Sequence, residues 1–314
     1  AEQISLEIGV ALPYMEDKLS ELYEYDLLKK DGNRYSTNIV IFTDDFSKEV
    51  NVKTAELRER IASLLTDSIT KQESAVRNIG FYGADMGGNS FAWQMTCFVL
   101  YRAIVDILQN KIKITYPKDK FGTECFVWAA ENGEHSFWES QFGFGISNAV
   151  NENGDSVRFM DFPVNGEMVH HYFSNHQTAT NVFLDIAKRN TAHFSENDLA
   201  AAADMVRKGY VLSKENGLFV NTPVLTQEQH RLLRELFSES AATIASEAEA
   251  LMETVTEILK NHVPSHLKRL AKDMAYLRLF EDAITAPITI LFDQKFLLPY
   301  HGGDVLPTTY IILK

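Results

Sequence analysis

The chain has 314 residues, of which 45% are hydrophobic and 23% charged, so it can bury at least one substantial core and form two or three domains. Sixteen glycines and eight prolines exclude a fibrous or broadly disordered chain, and two cysteines exclude a dense disulfide scaffold. A formal net charge of −13 favours solubility and opposes general attraction to nucleic acid, although a local basic patch can work against the overall field.

No basic segment followed by an apolar run opens the chain, so no signal peptide is expected. The sequence begins AEQISLEIGV, then ALPYMEDKLSELYEYDLLKKDGNRYSTNIVIFT. Ile4, Leu6 and Ile8 are read as one side of a short helix, Gly9 as a tight turn, and Pro13 as a first-turn residue of the next helix. Met15, Leu19, Leu22 and Tyr23 recur at helical spacing. Leu27 and Leu28 enter an extended segment, residues 29–33 supply a turn, and 35–42 form a returning strand.

Helix, glycine turn, helix and two-stranded wing is the order of a winged helix-turn-helix. Residues 1–43 resemble the helix-turn-helix and wing of bacterial transcription regulators, particularly the winged modules of sigma-factor-like proteins from anaerobic Firmicutes. The resemblance implies transcription regulation and contact with double-stranded DNA. Such modules carry another helix ahead of the pair, so further sequence upstream is expected.

Residues 54–79 predict a long amphipathic helix with Leu57, Ile61, Leu64, Leu65, Ile69 and Val76 on its apolar face. GADMGGNS at 83–90 lacks the P-loop lysine, with Asn89 in its place, and is not GxGxxG, so it reads as a helix connection. The apolar stretch 91–108 is interrupted by Gln94, Arg102 and Asp106, which predicts a buried globular helix rather than a membrane span. Cys97 and Cys125 form no CxxC pair and read as reduced thiols of a cytoplasmic protein.

Beyond Lys111, short β-favouring runs (KIKITY, ECFVWAA, SFWESQFGFGIS, SVRFMDFPV) alternate with Gly, Asn, Asp and Pro, predicting a small mixed or antiparallel sheet. NENGD at 151–155 is a hairpin connection. Trp128, Phe137, Trp138, Phe142, Phe144, Phe159 and Phe162 serve either a sheet core or an effector pocket. His170, His171 and His176 lie near Glu167 and His193 but match no metal-ligand spacing; GISNA at 145–149 is not GxSxG.

The chain also echoes itself. DLLKKDGNRYSTNIVIF at 26–42 aligns without a gap with YVLSKENGLFVNTPVLT at 210–226, placing Leu28 on Leu212, Lys30 on Lys214, Tyr35 on Phe219 and Val40 on Val224. Upstream, Met15, Leu19 and Leu22 fall on Leu199, Ala203 and Val206, in a helix capped by Ser195 and Asp198. The second unit reads as another helix followed by a wing. Residues 226–260 then predict a helix capped by Thr226, and a break at 262–265 leads into another. The closing segment from residue 287 mixes extended apolar runs, read as an edge strand or a cover for the helical core.

The expected fold is α+β: a truncated winged helix-turn-helix at 1–50, a helical region at 51–110, a mixed or antiparallel β region at 111–190, a second winged-helix-like unit at 191–226, and C-terminal helices with short terminal strands at 227–314. Residues 1–43 carry eight acidic and four basic side chains, and the presumed recognition helix holds Glu16, Asp17, Glu21 and Glu24 against Lys18. Phosphate contacts supply much of DNA affinity, so this helix is a poor major-groove reader. Lys29, Lys30 and Arg34 at the wing are the candidates for DNA-backbone contact. The expected partners are a regulatory protein or the transcription machinery, double-stranded DNA through weak contact, and a second copy of the chain, with no membrane. No catalytic constellation, metal or cofactor is expected. The alternatives are a protein-interaction scaffold without DNA binding, and a small-molecule sensor using the aromatic middle region.

Overall fold

A computed structural model describes residues 1–83, 87–118, 122, 124, 127–134, 145–161, 177–298 and 309–314. It is mixed α+β, and its contacts form two compact units that are each discontinuous in sequence. The first comprises Ala1–Glu56, Lys113–Glu139 and Ala250–Glu281; the second comprises Leu57–Ile112, Ser140–Glu249 and Asp282–Lys314.

In the first unit, α1 (Glu2–Ile8) ends at Gly9, whose φ of 71° makes the left-handed turn into α2 (Leu12–Glu24). Helix α2 buries Met15 and Leu19, four residues apart on one face. Ile4, Leu6 and Ile8 do not share a face: a two-residue step turns a helix by roughly 200°, and Leu6 and Ile8 are 83% and 62% exposed. Strands β1 (Leu28–Asp31) and β2 (Arg34–Thr37) form an antiparallel hairpin, with Leu28 opposite Thr37.

The returning strand expected over 35–42 is two strands. Asn38 turns its backbone N–H to the Leu27 carbonyl, which ends the hairpin, and β3 (Val40–Phe42) instead pairs in parallel with β5 (Trp128–Ala130). Helix α3 (Asp44–Arg77) starts ten residues earlier than its apolar pattern predicts and crosses the expected boundary at 50. Thr43 caps it, accepting from the Phe46 N–H at 3.2 Å, while the Glu131 carboxylate accepts from the Asp44 N–H at 2.8 Å. Charged residues in these first turns obscure the buried Phe46 and Val50. Around them, Phe42 stacks on Phe46 and meets Trp128 edge-on, each at 5.5 Å between ring centres.

The second unit is built on a five-stranded sheet in the order β4 (Tyr82–Gly83), β10 (Pro223–Thr226), β11 (Thr309–Leu313), β7 (Ser156–Asp161), β6 (Gly145–Val150). β10 and β11 are parallel and the other pairs antiparallel. β6 and β7 are joined through the expected turn, where Asn151 Oδ1 accepts from the N–H groups of Asn153 and Asp155.

Helix α4 (Gly88–Leu100) runs on as a π-helix at Tyr101–Leu108 and a last turn at Gln109–Lys111. By length and composition Gly88–Lys111 is apolar enough to cross a membrane, but 78% of its most apolar window is buried within the fold. Its Phe98 ring packs 5.4 Å from Tyr310. On the other side of the sheet, Val157, Val224 and Ile311 join the core of α5 (Gln177–Ala187) and α6 (Glu196–Arg207). The same sheet therefore buries both faces, by the alternation of its strands.

Two expectations for the end of the chain are corrected. The helix over 226–260 is broken at the buried Phe237 into α7 (Gln227–Leu236) and α8 (Ser238–His262). The segment beginning PITILF is helical over Ala286–Asp293, and β11 lies between β10 and β7 rather than at an edge. Its parallel partner β10 is far away in sequence, which local patterning does not reveal.

Candidate functional site

The internal echo has a backbone counterpart. Helix–helix–hairpin–strand–helix occurs as α1, α2, β1, β2, β3, α3 and again as α5, α6, β8 (Val211–Lys214), β9 (Gly217–Val220), β10, α7. Each third strand takes a parallel partner from later in the chain, β5 for β3 and β11 for β10.

The end of the second helix is alike in both. After α2, Asp26 adopts a left-handed φ of 61°, and the N–H groups of Asp26 and Leu27 return to the carbonyls of Tyr23 and Leu22. After α6, Gly209 (φ 81°) and Tyr210 do the same to Val206 and Met205. This is the two-bond pattern that satisfies orphan helix carbonyls. An asparagine then clasps each hairpin. Asn38 Nδ2 donates to the Asp26 carbonyl and Asn221 Nδ2 to the Gly209 carbonyl, both at 3.0 Å.

These matches fix an offset of 183 residues (209 minus 26, 221 minus 38). The gapless sequence register is therefore wrong by one. Leu28 corresponds to Val211, Lys30 to Ser213, Tyr35 to Leu218 and Val40 to Pro223. In the helices, Leu19 and Leu22 correspond to the buried Ala202 and Met205, not to Ala203 and Val206. The sequence alignment matched Lys–acid pairs whose turn glycines occupy different positions: Gly32 lies inside the first turn, whereas Gly217 begins strand β9. A one-residue slip exchanges the two faces of a hairpin.

The two hairpins differ in their electrostatics. Lys29, Lys30 and Arg34 are exposed on one hairpin, but they do not converge. Strand alternation puts Lys29 and Arg34 on one face, with Asp31, and Lys30 on the other, where its ammonium lies 5.3 Å from the Tyr35 ring centre. The second hairpin carries Leu212, Ser213 and Gly217 at these three positions. Its cation is Lys214, 5.2 Å from the Phe219 ring centre, where Arg189 from the turn after α5 also lies at 5.7 Å.

Helix α2 exposes Glu16, Asp17, Glu21 and Glu24, and Lys18 is engaged by Glu21 at 2.6 Å. Tyr14, Tyr23 and Tyr25 are also exposed, along with Leu6 and Ile8 of α1. The matching α6 is held by the expected capping box: Asp198 N–H donates to Ser195 Oγ and Ser195 N–H to the Asp198 carboxylate. Thr226 caps α7 in the same way with Gln229. The cleft below the first hairpin, lined in part by Asp26, Asn38, Lys118 and Arg269, measures about 110 Å³. Small-molecule pockets run to roughly 300–1,000 Å³, so this cleft is small for a ligand site.

For the aromatic middle region, Trp128 is a core partner of Phe42. Phe137, Trp138, Phe142, Phe144 and Phe162, the side chain of Phe159, Glu167, His170, His171, His176 and Cys125 lie outside the described residues. His193 is paired with Asp185 at 3.4 Å, Cys97 is buried, and no metal-ligand cluster occurs among the described residues.

Comparison of the chain with family models, curated proteins and solved structures gave no match. What the fold itself defines is an α+β chain with one helix–hairpin module used twice.

Proposed function

We propose that the chain is a cytoplasmic regulator of transcription whose two winged-helix-like modules bind protein partners, with weak backbone contact to DNA through the first hairpin. The observation that carries this reading is a repeated backbone with an unrepeated charge pattern. A common scaffold presents two chemically different tips, as expected of a protein that bridges different partners. Lys29 and Arg34 share a face and can reach phosphate together, while the acidic α2 disfavours insertion into a groove.

Binding of the whole chain to random double-stranded DNA over a salt series tests it. Two phosphate contacts give a log–log slope near −2 at about 0.9 per contact. Lys29→Gln with Arg34→Gln removes that slope, and Lys30→Gln leaves it nearly intact. No binding at low salt overturns the DNA contact.

A second reading, an interaction scaffold without DNA binding, is favoured by the exposed Leu6, Ile8, Tyr14, Tyr23 and Tyr25 of the first module. It requires that partner binding survive Lys29→Gln/Arg34→Gln unchanged.

A further inference from the structure

The second unit gathers three guanidinium groups from three segments. Arg102 comes from the π-helix, Arg158 from β7 and Arg234 from α7. Asp106, one step along the π-helix from Arg102, is placed between two of them: its Oδ2 lies 3.4 Å from Arg102 Nη1 and 3.4 Å from Arg234 Nη2. Arg158 Nη1 donates to the Tyr101 hydroxyl at 3.1 Å, and its guanidinium lies over the Tyr101 ring. Tyr310, directly opposite Arg158 across the β7–β11 ladder, closes the floor with His230 and Phe98.

Three features distinguish this from an ordinary ion-pair network. The charge is unbalanced, with three guanidinium groups against the single carboxylate of Asp106 among the described residues. The two contacts to that carboxylate are long against the roughly 2.7–2.9 Å of a strong charge-assisted bond, so Asp106 satisfies neither arginine fully. Arg102 Nε is buried with no hydrogen-bond partner. An unpaired donor of this kind is costly to bury, which marks Arg102 as incompletely satisfied by its neighbours. The cluster is also reachable: the side chains of Arg102, Asp106 and Arg234 are 21%, 24% and 37% exposed.

It is built on an uncommon backbone. Eight residues of π-helix are rare, and π-helical turns concentrate at functional sites. Residues four apart share a face of the helix, which places Arg102 beside Asp106.

We propose that Arg102, Arg158 and Arg234 form a binding site for a small oxyanion, a phosphoryl or carboxylate group of a soluble ligand. The oxyanion takes the outward N–H groups of Arg102, Arg234 and Arg158 as donors, with the Tyr101 hydroxyl beside it. Guanidinium groups present paired N–H donors that match the oxygens of either group. The site makes the chain responsive to a small anion through the sheet that also carries the second module; it does not rest on the DNA-binding reading.

The test is titration of the full chain with inorganic phosphate, and in parallel with malonate, at constant ionic strength held by chloride. Binding is read by calorimetry and by the shift of the unfolding midpoint. Saturable binding of either anion above the chloride baseline is expected, and the stronger arm identifies the group. Arg234→Gln, at a partly exposed position, weakens binding at least tenfold while circular dichroism stays unchanged, and Arg102→Gln does the same. Arg34→Gln, on the other unit, has no effect. A second readout is the His230 ring signal in proton NMR, whose titration moves to higher pH when the anion is bound. Absence of saturable binding, or equal binding by Arg234→Gln and Arg34→Gln, overturns the proposal.

Discussion

His230 lies between Phe98, Tyr310 and the three arginines, 6.0 and 5.8 Å from the two ring centres. Burial, followed by the charges of Arg234, Arg158 and Arg102, lowers its pKa from 6.5 to about 4. The fold thus favours the neutral imidazole. Between pH 6.5 and 4 the unfolded chain binds a proton that the folded chain refuses, so stability falls as pH drops through that window. At about 1.4 kcal/mol per unit the ceiling is near 3.5 kcal/mol, and solvent screening of this partly exposed ring reduces it to about 1–2 kcal/mol. Urea unfolding at pH 7 and pH 4.5 measures the loss, and His230→Asn makes it smaller by that amount. None of this was legible in the sequence. Arg102, Arg158, His230, Arg234 and Tyr310 stand in segments that no spacing rule joins, and the only local signal was a pair of charges, Arg102 and Asp106, inside an apolar helix.

The elements are more legible in the sequence than their register. The caps at Ser195 and Thr226 and the NENGD turn follow from short-range chemistry, which sequence displays directly. The duplicated hairpin was visible as well, but letters alone aligned Lys30 with Lys214, where the Asn38 and Asn221 clasps align Lys30 with Ser213. Asparagine side chains that bind a backbone carbonyl twelve residues away leave no local pattern. The clasp predicts a difference between modules. Asn221 is 3% exposed, so Asn221→Ala leaves the Gly209 carbonyl without its side-chain donor in a buried setting and costs about 1–3 kcal/mol. Asn38→Ala, at a partly buried position, costs about 0.5–1 kcal/mol by the same reasoning. Denaturant midpoints rank the two variants, and amide exchange in each hairpin locates the effect.

At the scale of the whole molecule, sequence order and contact order part company. The α+β class was legible from periodicity, and the buried character of 91–108 from its interrupting charges. The two units were not, because each is assembled from three stretches of chain. Strand β11 shows why: its register with β7 places Ile311 opposite Val157, and its register with β10 places Ile311 beside Val224. Nearby, the buried Asp155 is ion-paired with Lys188 and accepts the backbone N–H of Lys314 at 3.0 Å. Deleting residues 309–314 opens the sheet between β10 and β7 and strips Asp155 of that donor. The truncated chain loses the cooperative unfolding transition of the second unit and exchanges the amides of β7 and β10 rapidly, while a chain that keeps both properties contradicts this account of the sheet.

The position of β11 also bears on how the protein is made. A ribosome delivers β7 and β10 long before residues 309–313, so the growing chain carries two unpaired strand edges until its third partner emerges. Open edges of this kind are templates for wrong pairing, and late, distant closure is slow. Correct folding of the second unit thus waits for residues 309–313 to emerge, and until then the nascent chain is exposed to aggregation and to capture by chaperones.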